Sequence, residues 1–92
     1  MAGPQARSDR PVHVRVTVEL KPEVEDAEAE NVERALVLLG VGAVRRVRIA
    51  RVYDLEFEGL ARADAERRAQ EAVDRLLANP VIHRVTVRPA PE

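Results

Sequence analysis

The sequence predicts an α/β (α+β) fold, a two-layer sandwich in which two helices cover one face of a single β-sheet. In residues 12–20 hydrophobic side chains recur at every second position, as in a half-buried strand. In residues 62–78 they recur at every third or fourth position, as in an amphipathic helix. Such segments follow one another as strand, helix, long strand, helix and strand. A chain of 92 residues accommodates one domain of this kind.

The first strand and the first helix have clear boundaries. The apolar side chains of the strand are Val12, Val14, Val16, Val18 and Leu20. Pro22 ends the strand because proline cannot donate to a β-ladder. Asp26 is expected to cap the helix and Gly40 to end it. The expected buried face is Ala29, Val32, Ala35, Leu36 and Leu39. Val37 and Leu38 point away from that face, which indicates either a broadly buried helix end or a second contact surface.

Residues 44–58 contain the long strand. Arg51 interrupts a series of apolar residues of one parity, so the segment is either one bent strand or a hairpin turning through residues 50–52. We favour one long strand with a bend or bulge near Ala50, because a hairpin there lacks the Asn-Gly or Asp-Gly signal. A strand of this length would protrude from a small domain and invite pairing with a second chain.

The second helix is predicted over residues 62–78 and the last strand over residues 81–88. The buried helical stripe is expected to be Ala65, Ala69, Ala72, Val73, Leu76 and Leu77. Asn79 fits the left-handed position after a helix, and Pro80 prevents the helix from continuing. The domain is therefore placed at residues 12–88, between a flexible tail at 1–11 and a short tail at 89–92. The first tail has no apolar signal region, so we expect a cytoplasmic protein.

The composition excludes several function classes. The chain has no Cys and two His, and its net charge is −1 with 2% aromatic residues. This argues against a thiolate metal site, a disulfide scaffold and a nucleic-acid surface. No apolar run is long enough to span a bilayer. His13 and His83 are predicted on opposite faces of the sheet, and no phosphate-loop or metalloprotease motif occurs. We therefore expect no catalytic, cofactor-binding or metal-binding residue in this chain.

The exposed face of the sheet is predicted to be rich in charge. Its members are Arg15, Arg46, Arg48, Arg84 and Arg88, near Glu19, Asp54 and Glu56. A solvated face of mixed charge is one interpretation. A protein-docking face is the other, since arginine is enriched at interfaces.

Several short motifs together resemble a known family. The motifs are Leu20-Lys21-Pro22, Val32-Glu33-x-Ala35-Leu36-x-x-Leu39-Gly40, Val47-Arg48-Ile49 and Leu76-Leu77-Ala78-Asn79-Pro80-Val81-Ile82. In this order and spacing the sequence resembles PurS, the small subunit of phosphoribosylformylglycinamidine synthase. The resemblance implies a role in purine biosynthesis, in a ligase complex that uses glutamine, ATP and Mg²⁺. It implies that the chain is not itself catalytic and binds none of these alone. It would bridge a PurL-type synthetase subunit and a PurQ-type glutaminase subunit, and support ammonia transfer between them.

The same reading predicts a homodimer, or a dimer of dimers, formed through the sheet. The candidate partner and interface residues are Lys21, Pro22, Val37, Leu38, Arg48, Arg51, Leu77, Asn79 and Pro80. The alternative is a stand-alone dimeric module of the ACT type that binds a small regulatory ligand. That class needs a glycine-bearing loop between the first strand and helix, and residues 21–25 contain no glycine. An RNA-binding α/β domain would need aromatic residues on the open sheet face, where Arg, Thr and Glu stand instead.

Overall fold

The predicted order of elements is confirmed by the computed structural model, which describes residues 10–91. Most of the predicted N-terminal tail therefore lies outside the described residues, as does residue 92. The elements are β1 (Val12–Leu20), α1 (Ala27–Leu38), β2 (Ala50–Phe57), α2 (Arg62–Ala72, continued by a π-helical turn at Val73–Leu77) and β3 (His83–Pro89). The strands form one antiparallel sheet in the order β2-β1-β3. Hydrogen bonding continues beyond the predicted boundary at residue 88, because Ala90 N–H donates to the carbonyl of His13 over 3.1 Å.

The hydrophobic core lies between β1 and α2. The predicted alternation of β1 is confirmed: Val12, Val14, Val16 and Val18 are buried, and the side chains between them are partly exposed. The buried residues of α2 are Ala65, Ala69 and Val73, four residues apart along one helical face. Because alanine ends at Cβ, the helix approaches the sheet closely over β1 and β3.

The end of α2 differs from its predicted stripe. Leu76 is 82% exposed, so the prediction that it is buried is wrong. The cause is the π-helical turn, in which Ala78 N–H donates to the carbonyl of Val73, five residues earlier. This wider turn changes the helical phase, and Leu77 and Ala78 continue the contact with the core instead.

The first helix does not lie beside α2 on the sheet, where the sequence predicted it. Its predicted cap is confirmed, because Asp26 Oδ1 accepts from Ala29 N–H over 3.0 Å. Its predicted stop at Gly40 is also confirmed, at a φ of +82°. Of its expected buried face, however, only Ala29 is buried. Val32 and Leu39 are exposed, so their predicted burial is wrong. The helical spacing identified an apolar stripe but not the surface that would cover it.

Residues 41–49 connect α1 to β2 without forming a helix or a paired strand. They return along α1, where Val47 N–H donates to Glu33 Oε2 over 2.8 Å. The hairpin alternative is excluded, since the only described partner of β2 is β1. The predicted long strand is shorter than expected, because its ladder begins at Ala50. Together, α1 and residues 41–49 form an arm attached to one end of the sheet, and we use the name "arm" for this unit.

Candidate interaction surfaces

The two histidines lie on opposite faces of the sheet, as predicted. His13 is paired across the ladder with Glu56, and its Nδ1 lies 3.8 Å from Glu56 Oε1. His83 is paired with Leu20, which shares the parity of the buried valines. Within residues 10–91, no cluster of three or more His, Cys, Asp or Glu side chains could hold a metal ion. In the same range no helix has the length and apolar character needed to cross a membrane.

The open face of the sheet carries ion pairs between neighbouring strands. Arg15 on β1 donates two hydrogen bonds to the carboxylate of Asp54 on β2, at 2.8 and 3.1 Å. Hydrogen bonding from Arg15 is the main cause of the lowered pKa of Asp54. The positive charge of Arg15 lowers this pKa further. On the other edge Arg84 lies 2.7 Å from Glu19. The solvated mixed-charge interpretation therefore accounts for this part of the face.

Two arginines predicted on the same face lie at its end, outside the paired strands. Arg46 and Arg48 belong to the arm, outside the hydrogen-bonded sheet. They line a shallow cleft with Glu19 and Arg84 at the end of the sheet. The prediction that they lie on a strand is wrong, because residues 44–49 have no ladder partner, but their predicted place near Glu19 and Arg84 agrees with the structure.

The turn between α2 and β3 is built around Asn79. Its side-chain Oδ1 accepts from Val81 N–H over 2.9 Å, and its carbonyl accepts from the N–H groups of Ile82 and His83. The prediction of a left-handed Asn79 is wrong, because the only described non-glycine residue with positive φ is Ala43. The helix ends in an extended residue, Ala78, so no left-handed cap is required. Asn79 stabilises the turn with its side chain instead.

Lys21 connects this turn to the end of β1. Its N–H donates to the carbonyl of Ile82 over 2.9 Å, and its own carbonyl accepts from Val24 N–H. Pro22 is exposed beside it. A cleft of about 250 Å³ opens between this end of the sheet and the start of α1. Its lining includes Leu20, Asp26, Ile49, Arg51, Leu77 and His83.

The structure thus brings most of the predicted partner residues to one end of the sheet. Lys21, Pro22, Arg51, Leu77 and Asn79-Pro80 surround the point at which β1 ends and β2 and β3 begin. Val37 and Leu38 lie apart from them, near the far end of α1, and are 70% and 87% exposed. Arg48 lies on the arm and lines a cleft with Leu20 and Pro22 at that same end of the sheet. Which partner each of these residues contacts stays a prediction.

Sequence reasoning missed one feature of the surface. The apolar residues Tyr53, Leu55 and Phe57 of β2 are only half-buried, because α2 lies over β1 and β3. The composition of α2 was a signal for this half-buried strand, because a helix with small buried side chains cannot cover a sheet three strands wide. A small α+β domain whose sheet is partly uncovered and whose first helix exposes Val32, Val37 and Leu38 is a protein suited to assembly with other chains.

The comparisons with known proteins agree with this class. The family model "PurS: Phosphoribosylformylglycinamidine (FGAM) synthase" matches residues 13–90. The PurS subunit of phosphoribosylformylglycinamidine synthase from Archaeoglobus fulgidus is 40% identical over 72 residues, which cover 78% of this chain and 90% of that protein. The chain therefore belongs to the PurS family of phosphoribosylformylglycinamidine synthase subunits, and the predicted role in purine biosynthesis is confirmed.

Solved structures show the same fold. A crystal structure of PurS from Methanocaldococcus jannaschii has a TM-score of 0.75 at 30% identity, and the match covers 83% of this chain and 92% of that one. That PurS is described as one of the subunits of formylglycinamide ribonucleotide amidotransferase in the purine biosynthetic pathway. A chain of the PurLQS structure from Thermotoga maritima has a TM-score of 0.78 at 26% identity, and the match covers 87% of this chain and 98% of that one.

Proposed function

We propose that this chain is the non-catalytic assembly subunit of its phosphoribosylformylglycinamidine synthase. It self-associates and joins a PurL-type synthetase to a PurQ-type glutaminase, so that ammonia released from glutamine reaches the synthetase without escaping to solvent. ATP, Mg²⁺ and glutamine are used by the partner subunits in this scheme. The complex operates in the cytoplasm.

One observation carries the proposal. The Thermotoga maritima PurLQS structure contains a chain whose fold this chain matches over 98% of that chain's length. The surface of the domain supports the same role. Near the far end of α1, Val37 and Leu38 expose apolar side chains to solvent. Exposed apolar residues that lie together favour a protein contact over a solvated surface.

Co-purification tests the proposal directly. The tagged chain is mixed with its PurL-type and PurQ-type subunits, with and without glutamine and a nucleotide triphosphate with Mg²⁺. We expect all three proteins in one complex that elutes ahead of each subunit alone. Failure of the chain to bind either subunit under every condition would contradict the bridging role.

A pair of matched variants tests whether the exposed end of α1 contacts the other subunits. Leu38→Ser and Leu76→Ser each remove one leucine that is more than four-fifths exposed, the first on α1 and the second at the end of α2. We expect Leu38→Ser to weaken complex formation and Leu76→Ser to leave it unchanged. Light scattering on each variant first establishes whether its self-association is altered, so that the two effects are separated. Equal binding by both variants would remove Leu38 from the contact surface.

A further inference from the structure

The shallow cleft at the end of the sheet is lined by three arginines and two carboxylates, and we call it the arginine cleft. Its charged residues are Arg46 and Arg48 of the arm, Arg84 of β3, Glu19 of β1 and Asp26. Both carboxylates already have partners within the chain. Glu19 lies 2.7 Å from Arg84, and Asp26 caps α1 by accepting a hydrogen bond from Ala29 N–H.

Two of the three arginines have no anionic partner in the part of the chain that the structure describes. Arg46 and Arg48 are exposed and form no salt bridge with any of residues 10–91. Arg48 is two residues from Ala50, which pairs with Glu19 across the ladder, so it lies close to the ion pair of Glu19 and Arg84. A guanidinium presents N–H donors in a fixed fork that matches a carboxylate. An unpaired fork in a cleft therefore predicts an anionic ligand.

The size and lining of the cleft favour a protein side chain over a free metabolite. Its volume is about 60 Å³, whereas pockets for small molecules typically have about 300–1,000 Å³. A water molecule occupies about 30 Å³ in the liquid, so the cleft has room for a group the size of one carboxylate. Half of the lining is apolar, formed by Leu20, Pro22, Val24, Val47 and Ile49. A protein segment would cover these apolar residues, whereas a free hydrated anion would not.

We infer that the arginine cleft docks an acidic side chain of another subunit of the synthase, with Arg48 binding its carboxylate. This inference rests on the proposed function and specifies one of the surfaces that a bridging subunit needs, together with its chemistry. A chain that joins two different proteins requires two contact surfaces. The basic cleft and the apolar end of α1 at Val37 and Leu38 lie apart and differ in chemistry, so they suit two different partners.

Two substitutions with opposite expected effects test the inference. Binding of each full-length variant to the purified PurL-type subunit, and separately to the PurQ-type subunit, is measured by surface plasmon resonance. Arg48→Glu replaces the binding cation with an anion, and we expect it to weaken binding to one of the two subunits about tenfold or more. Glu19→Gln releases Arg84 from its ion pair and keeps the shape of the side chain. We expect it to strengthen binding to the same subunit severalfold.

Arg68→Glu is the matched control. Arg68 is exposed on α2 and forms no salt bridge with any other described residue. We expect this variant to leave binding to both subunits unchanged. Glu19→Gln is the decisive variant, because a substitution that merely damages the fold weakens binding and does not strengthen it. Light scattering on each variant establishes whether its self-association is altered.

Weaker or unchanged binding with Glu19→Gln would contradict the inference, as would equal effects of Arg48→Glu and Arg68→Glu. Titration calorimetry with inorganic phosphate tests for a free anion, and saturable phosphate binding that Arg48→Glu abolishes would also contradict it. Altered self-association with unaltered subunit binding would assign the cleft to a second copy instead. If the parent chain binds neither subunit, the proposed function is wrong and this inference falls with it. If the parent binds and the variants bind equally well, this inference alone is wrong.

Discussion

The backbone N–H of Asn79 donates a 2.8 Å hydrogen bond to Nδ1 of His83. This contact closes the turn between α2 and β3 together with the bond from Val81 N–H to the Asn79 side chain. Asn79-Pro80, part of one of the motifs in the family resemblance, therefore belongs to a hydrogen-bonded turn that precedes β3. Its side chains have a structural role whether or not they also contact a partner.

Substitutions at Asn79 test the turn geometry. Asn79→Ala and Asn79→Gly both lose the acceptor for Val81 N–H, and we expect each to lower the free energy of unfolding by about 1 kcal/mol. Asn79→Asp keeps an acceptor oxygen and should lie closer to the parent. Urea denaturation followed by circular dichroism measures the differences. A clear advantage of Asn79→Gly over Asn79→Ala would instead indicate a left-handed residue at this position.

The contact between α2 and the sheet predicts that a side chain much larger than alanine at position 69 destabilises the fold. Ala69 is fully buried against β1, so Ala69→Leu must displace the helix or distort the core, at a cost of about 1–3 kcal/mol. Ala63 is exposed on the same helix, and Ala63→Leu is the matched control with little expected effect. Thermal unfolding of both variants measures this. Similar stability of the two would mean that α2 does not pack as described.

Stability should depend on pH through Asp54. Folding lowers the pKa of Asp54 from its ordinary value of 3.8, mainly through the hydrogen bond from Arg15. The stabilisation is therefore fully present above about pH 4 and is lost as the pH falls through the lower, folded-state pKa. We expect Asp54→Asn to be less stable than the parent at pH 7, with the difference disappearing at acidic pH. Glu66→Gln removes an exposed carboxylate outside any described salt bridge and is the control. A difference that stays constant with pH would contradict the assignment.

Self-association should depend on the arginines of the arm. Arg46→Glu reverses one of the four arginine charges in residues 45–51, and we expect it to weaken the homodimer severalfold, because close ion pairs at interfaces contribute about 1 kcal/mol or more. Arg68→Glu on α2 reverses an exposed charge away from the arm and should leave the dimer unchanged. Sedimentation equilibrium at two salt concentrations measures both. Added salt should weaken the parent dimer, and equal effects of the two variants would exclude a specific role for the arm.

Local sequence patterns predicted most of the fold. They failed for residues whose burial depends on which other part of the protein packs against them. The alternation in β1, the cap at Asp26 and the stop at Gly40 depend on neighbouring residues, so the sequence identified them. The exposure of Val32 and Leu39 depends on where α1 docks, which helical spacing does not encode. Leu76 was misplaced because a single π-helical turn shifts the phase of all residues after it.

The positions of some candidate interaction residues were predicted from the sequence, and those of others were not. Val37 and Leu38 were predicted to face outward from their angle around the helix, and both are exposed. Because Val32 and Leu39 on the opposite face are exposed too, the angle did not decide the outcome. That Lys21 and Asn79 meet at one end of the sheet follows from the pairing of β1 with β3, which the chain order alone did not specify. The half-covered face of β2 was missed because its coverage depends on the width of the sheet and on the position of α2.

The most direct test of the account is reconstitution of the synthase from its separate subunits. Formation of formylglycinamidine ribonucleotide is measured with purified PurL-type and PurQ-type subunits, with and without this chain, using either glutamine or free ammonium as the nitrogen source. We predict that the glutamine-dependent rate requires this chain, whereas the ammonium-dependent rate of the synthetase changes little when it is added. A glutamine-dependent rate that is the same without the chain would contradict the account.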